Sequence, residues 1–206
     1  MSSPWLEVVV ATSNPNKVRE IADLLQMAWI HLRSWGDFAP LPEVVEDGLT
    51  FAENALIKAH AAHAHTRLPA LADDSGIEID CLGGRPGIHS ARFAGEGATD
   101  AENNAHMVRL LREHTPPYTA RYRCVLALTG LGDGKDHLFE GTCEGTLVLE
   151  PRGENGFGYD PYFVPRGHER TFAEMSLAEK QALSHRGAAV RQLAQFLRRR
   201  LAAPAG

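Results

Sequence analysis

The sequence predicts an α/β fold: a mixed central β-sheet flanked by helices. Three observations carry this expectation. Apolar runs of strand length alternate with segments of helical periodicity. Helices are interspersed with strands rather than gathered at one end. Two long strand-like runs, Tyr118 to Thr129 and His137 to Glu150, flank Gly130-Leu131-Gly132-Asp133-Gly134, which reads as a hairpin.

Taken in order, Leu6 to Ala11 is a buried first strand. Asn14-Pro15 then supplies a helix cap with proline in the first helical position. Val18, Ile21, Leu24 and Leu25 repeat at helical spacing and carry that helix to about Met27. Trp29 to Ser34 is a second strand, followed by a proline-rich connector through Pro42. Thr50-Phe51-Ala52-Glu53 matches a capping box and opens a helix to about His65. Ala98 to Glu113 is a further helix, closed by Pro116-Pro117. Ser184 caps the last helix, whose apolar stripe is Val190, Leu193, Leu197 and Leu201. No repeat, low-complexity segment or domain linker interrupts the chain, so residues 1–206 read as one domain with room for a smaller lobe.

Composition narrows the class. Hydrophobic residues make up 44% and charged residues 23%, ordinary values for a soluble globular protein. A net charge of −5 gives no general attraction to nucleic acid or an anionic membrane, so any polyanion must meet local positive charge. Met1 to Glu7 lacks the features of a signal peptide, and no apolar run approaches the roughly 20 residues that span a bilayer. Cys81, Cys124 and Cys143 are widely spaced and odd in number, which fits buried thiols in a reducing cytoplasm.

The most informative segment is Ala72-Asp73-Asp74-Ser75-Gly76. Two adjacent acids follow an apolar run, and burying them needs a cation or a proton to offset their repulsion. The pair points to a divalent metal, an acid/base role, or both; the competing reading is a polar turn between two strands. Glu46 and Asp47 add a second acidic cluster, and with Asp73 and Asp74 they make an oxygen-rich set suited to magnesium. Glu53 is assigned to its capping box instead.

Other segments suit an anionic, flat ligand. Thr12-Ser13-Asn14-Pro15-Asn16-Lys17 delivers a polar turn into a helix N-terminus, where backbone N–H groups and Lys17 favour an anion. A capped turn with an exposed lysine accounts for it equally well. Gly156-Phe157-Gly158-Tyr159-Asp160-Pro161 is a glycine-flexed aromatic loop, in which Phe157 can stack on a base and Asp160 can accept from ring N–H groups. Its competing reading is a tight turn with Phe157 and Tyr159 as core anchors. Lys180, Ser184, His185 and Arg186 are placed at the start of the last helix, where basic groups oppose the dipole unless an anion or polar ligand is present. Gly130 to Lys135 and the trio His60, His63 and His65 are read as a hairpin turn and a solvated helix face, not as phosphate or metal sites.

Several of these segments carry a family resemblance. Ala11 to Lys17, Gly48 to Ala55, Ala72 to Gly76, Leu82 to Phe93, Gly156 to Pro161 and Ser184 to Gly187 span nearly the whole chain. In that order they resemble the inosine/xanthosine triphosphate pyrophosphatases. One departure is Val45, where bacterial relatives often carry an acid; it leaves Glu46 as the ligand glutamate.

The resemblance implies a two-lobed fold with a cleft, a magnesium cofactor and a homodimer. It also implies hydrolysis of ITP, dITP or XTP at the α–β bond, giving the monophosphate and pyrophosphate. Glu46 and Asp74 are then expected to hold metal, with Asp73 in support and Asp74 as proton acceptor. Lys17, Lys180 and the segment Thr12, Ser13, Asn14, Pro15, Asn16 are expected to cradle phosphates, and Ser75 to bond the substrate beside them. Phe157, Gly158, Tyr159 and Asp160 are expected to receive the base, and His185 and Arg186 to read its 6-oxo group. The remaining alternatives are a metal-dependent phosphatase that cuts a terminal phosphate and a nucleotide-binding module without catalysis. The segment Leu82 to Phe93 has no chemical rationale at this level.

Overall fold

The computed structural model describes residues 5–40 and 44–202, so part of the proline-rich connector and the side chain of Leu201 lie outside the described residues. In chain order the main elements begin β1 (Leu6–Val10), α1 (Pro15–Leu24), β2 (Ile30–Ser34), α2 (Phe51–Thr66) and β3 (Ala70–Ile79). They continue with α3 (Asp100–Leu111), β4 (Tyr118–Thr129), β5 (His137–Leu147), β6 (Phe163–Pro165), α4 (Leu177–Leu183) and α5 (His185–Ala202). The strand order is β2-β1-β3-β4-β5-β6. β1 runs parallel to β2 and β3, while β5 and β6 are antiparallel, so the sheet is mixed as expected.

The chain divides into two compact units. The first comprises residues 1–74, 125–140 and 189–206, and the second comprises residues 75–124 and 141–188. In the first unit Val8, Val9 and Val10 are buried, as β1 pairs with strands on both sides. Helix α2 lies against β1, and its small residues Ala55, Ala59 and Ala62 are fully buried. The buried stripe of α5 contains Val190, Leu193 and Leu197, as its spacing predicts.

The second unit has a continuous apolar core. Ile77 and Ile79 of β3, Met107 and Leu111 of α3, Tyr118 and Tyr122 of β4, and Phe163 and Phe172 all contribute. Asp73-Asp74-Ser75-Gly76 lies within the unbroken β3, which excludes the reading of a turn between two strands. Glycine is required at position 76: a Cβ there would collide with Ser90 Oγ and the Gly87 carbonyl oxygen. This gives Gly87 and Ser90, within the Leu82 to Phe93 segment, a structural role. Ser90 Oγ accepts from the Ile77 N–H at 2.9 Å and donates to the Gly87 carbonyl at 2.6 Å, bracing the strand just beyond the acidic pair.

Smaller corrections concern boundaries and partners. Lys180 sits in the separate short helix α4 rather than at the start of the last one; Ser184 ends α4 and caps α5 as expected, its Oγ accepting from the Gly187 N–H. Cys81 is half-buried in a 3-10 turn, whereas Cys124 and Cys143 are buried in strands. β4 and β5 are sheet neighbours joined by the glycine turn at 130–134. His60 contacts Asp136, His63 the Leu68 carbonyl and His65 the Phe38 carbonyl, so the three histidines serve separate local contacts.

Replacing Gly76 with alanine is expected to destabilise the protein by about 1–3 kcal/mol through overpacking. Urea denaturation measures this, and an unchanged midpoint would show that the brace does not constrain the strand.

Candidate active site

The polar centre of the first unit grows out of β3. Successive side chains of an extended strand leave toward opposite faces, so adjacent acids need not share a partner. Asp73, with no exposed surface, pairs with Lys17 from the first turn of α1. Asp74 pairs instead with Lys58 of α2, Oδ1 to Nζ at 2.7 Å. Lys58 also lies 2.7 Å from Glu46 Oε2, so one ammonium gathers two carboxylates from separate segments.

Lys58 escaped the sequence reading, although a signal was present. It continues the buried helical stripe of Phe51, Ala55 and Ala62, where a lysine is out of place without a partner. The loop carrying Glu46 is tied to the same helix: Asn54 Oδ1 accepts from the Gly48 N–H at 2.9 Å, and Glu53 Oε2 accepts from the Leu49 N–H at 2.6 Å. Thr50 Oγ1 caps α2 by accepting from the Glu53 N–H. Glu53 is therefore structural, though it reaches Leu49 rather than completing a box with Thr50.

Charge at this centre is finely poised. Burial raises the Asp74 carboxyl above its ordinary range, and attraction to Lys58 and then Lys17 only partly opposes that rise. Burial also acts against the Lys58 ammonium, but Asp74 and Glu46 outweigh it and hold its pKa above the usual lysine value. Asp74 Oδ2 is buried and makes no hydrogen bond. A carboxylate with one oxygen fixed and the other unpartnered can bind a cation or take a proton.

The donor set fits magnesium, which takes hard oxygen ligands and usually only one or two carboxylates from protein. Glu46 and Asp74 already gather around one positive charge. Asp73 belongs to the buried ion pair with Lys17, which separates it from that ligand pair. Asp47 is exposed beside Glu46. Among the described residues, no group of three or more His, Cys, Asp or Glu side chains is placed to hold a metal by itself.

The Thr12 to Lys17 segment differs from a set of free amides. Asn14 Oδ1 accepts from the N–H groups of Asn16 and Lys17 at 2.9 and 3.3 Å. Thr12 Oγ1 accepts from the Asn14 N–H, while the Thr12 N–H donates to the Val10 carbonyl. Ser13 lies in the turn and Pro15 opens α1. The N-cap expected from sequence thus engages the very donors expected to cradle phosphate.

The second unit contains the aromatic-loop centre. Asp160, only 2% exposed, is its hub. Asp160 Oδ2 accepts from Lys180 Nζ at 2.7 Å and from the Phe157 N–H at 2.9 Å; Oδ1 accepts from the Tyr122 hydroxyl at 3.3 Å. Both oxygens of Asp160 are thus engaged by protein donors, which fixes the carboxylate at the base of the loop. Lys180 is likewise buried, in that ion pair, with Nζ 4.8 Å from the Phe157 ring centroid. Gly156 is enforced by φ of +78° and by Asp160, whose carboxylate occupies the space a Cβ would need.

Tyr159 follows its competing reading as a core anchor. Its hydroxyl donates to the Ser90 carbonyl at 2.7 Å, and burial raises its pKa. Phe157 remains partly exposed. Arg186 is fully buried, donates from Nη2 to Ser75 Oγ at 2.8 Å and lies 5.8 Å from the Phe157 ring centroid. His185 stacks on Tyr122 with centroids 4.6 Å apart and planes within 6°. Tyr122, absent from the sequence-derived set, therefore supports both Asp160 and His185.

Known proteins resemble this chain over most of its length. The sequence model of the Ham1 family matches residues 8–196. A dITP/XTP pyrophosphatase of Desulforamulus reducens is 46% identical over 195 residues, covering 94% of this chain and 96% of that protein. One from Syntrophobacter fumaroxidans is 50% identical over 186 residues, covering 90% and 79%. The structure of a HAM1 protein from Coxiella burnetii superposes with a TM-score of 0.86 at 43% identity, covering 94% of this chain and 99% of that one. The chain belongs to the Ham1 family.

Proposed function

We propose that this protein is a nucleoside-triphosphate pyrophosphatase. Its substrates are the non-standard purine nucleotides ITP, dITP and XTP, cleaved to the monophosphate and pyrophosphate, which keeps them out of DNA and RNA. The reading is supported by the Asp74 carboxylate, whose Oδ2 is buried and unpartnered while Oδ1 is fixed by Lys58. Relatives about half identical over nine-tenths of the chain bear the name dITP/XTP pyrophosphatase. The chain works as one catalytic domain, as a homodimer, in the nucleotide pool of the cytoplasm. Among the described residues, no helix is long and apolar enough to cross a membrane.

Asp74 Oδ2 takes the proton of the water that attacks the α-phosphorus. Its raised proton affinity makes it a stronger acceptor than an exposed aspartate. Lys58 orients that carboxylate and keeps it ionised, and it holds Glu46 alongside. Glu46 and Asp74 would hold Mg²⁺, which supplies charge neutralisation to the leaving pyrophosphate. Lys17, set by Asp73, places positive charge at the Thr12 to Asn16 turn for the phosphates.

At the base end, Phe157 offers a face for stacking, while Arg186 and His185 supply donors suited to a 6-oxo group. Adenine carries an amino group there, and each buried donor left unmatched costs about 1–3 kcal/mol. Lys180, Asp160 and Tyr122 hold this apparatus in place.

With dITP and magnesium, wild type is expected to release pyrophosphate directly. Orthophosphate as the first product would indicate a terminal phosphatase, and tight binding without turnover would indicate a binding module. Asp74→Asn is expected to fold and bind nucleotide yet lose roughly 10²–10⁴-fold in kcat, read by pyrophosphate release. Undiminished activity would remove Asp74 as the base.

The pH dependence follows from the same group. Asp74 must be ionised to accept a proton, so activity falls as pH drops through its raised pKa. The acid limb of kcat/KM therefore lies above that of an ordinary aspartate. Lys58→Met removes the main lowering influence and is expected to move the limb to still higher pH. For stability the sign is opposite: the folded state binds this proton more tightly than the unfolded chain, so Asp74 disfavours folding as pH rises through that window.

A further inference from the structure

We infer that Asp100 and Asn104, in the first two turns of α3, are positioning residues for purine recognition. They act on Phe157 through the neighbouring Gly158 peptide, and the inference rests on the function proposed above. The Gly158 N–H donates to Asp100 Oδ2 at 2.7 Å, and its carbonyl accepts from Asn104 Nδ2 at 2.9 Å. One helix thus grips both polar groups of a single loop residue. Gly158 has φ of +61°, a conformation that other residues rarely adopt. Its N–H orientation fixes the peptide plane leaving Phe157 and, with the Phe157 N–H held by Asp160, the backbone from which the ring expected to stack on the base projects.

Two observations separate this grip from ordinary helix chemistry. Asp100 is exposed and α3 is already capped: Thr99 and Glu102 form a complete capping box. The first-turn acid is therefore surplus to the cap. Asn104 is buried, yet its Oδ1 makes no hydrogen bond. An apolar side chain would fill that space without leaving an acceptor unmet, so the feature that the amide adds is its donor to Gly158. The adjacent Asn103 provides a contrast, since its Nδ2 and Oδ1 hold Ala91 and Ala94 in the brace that supports β3.

Hydrogen exchange at Gly158 without nucleotide, paired with steady-state kinetics on dITP and dATP, tests the clamp. Asp100→Ala and Asn104→Ala are expected to speed exchange at Gly158 about tenfold, raise KM for dITP about tenfold and hold kcat within about twofold. The preference for dITP over dATP should fall, because a loosened ring weakens alignment of the 6-oxo readers. Asp100→Asn retains an acceptor oxygen and should restore protection and KM. Unchanged exchange and KM in Asp100→Ala, which alters an exposed side chain, would overturn the inference. So would a loss confined to kcat, or failure of Asp100→Asn to rescue. If wild type released no pyrophosphate from dITP, the function itself would fail, whereas the exchange arm would still decide whether α3 holds the loop.

Discussion

A carboxylate taken out of water must be neutralised, paired or put to use, and Asp74 meets that constraint in an uneven way. Lys58 holds one oxygen, while the other is buried without a hydrogen bond. The burial that raises its proton affinity would be a liability at a purely structural position. Much of the first unit serves this arrangement. Helix α2 lies against β1, Lys58 projects from that helix, and Asn54 and Glu53 secure the loop that presents Glu46.

The second unit applies the same economy to a different problem. A flat aromatic face is useful only if its loop is fixed, and the loop at 156–160 has two glycines with positive φ that leave it free to wander. Asp160 restrains it from below through Lys180 and Tyr122, α3 restrains Gly158, and Ser90 anchors Tyr159. Few of these groups are free to meet a ligand. They hold Phe157, Arg186 and His185, which are suited to one.

Much of this was legible in the sequence. Strand and helix patterns placed nearly every long element, because valine runs and three-to-four residue spacing report burial directly. The acidic doublet and the aromatic loop stood out as residue types that burial disfavours. Partner choice was less legible. Nothing local indicates that Asp73 turns to Lys17 and Asp74 to Lys58, since strand pleating and the approach of separate helices decide it. The partners of Asp160 were equally hidden, because Tyr122 and Lys180 lie 38 and 20 residues away. The short β6 and α4 escaped notice because three and seven residues are too few to establish a period.

The most direct test is a carbon-13 NMR titration of the Asp74 carboxyl in the free protein, with the resonance assigned by its loss in Asp74→Asn. The account predicts a midpoint above the ordinary aspartate value of about 3.9. A midpoint at or below that value would mean that Lys58 outweighs burial, and that Asp74 is an ion-pair partner rather than a poised base.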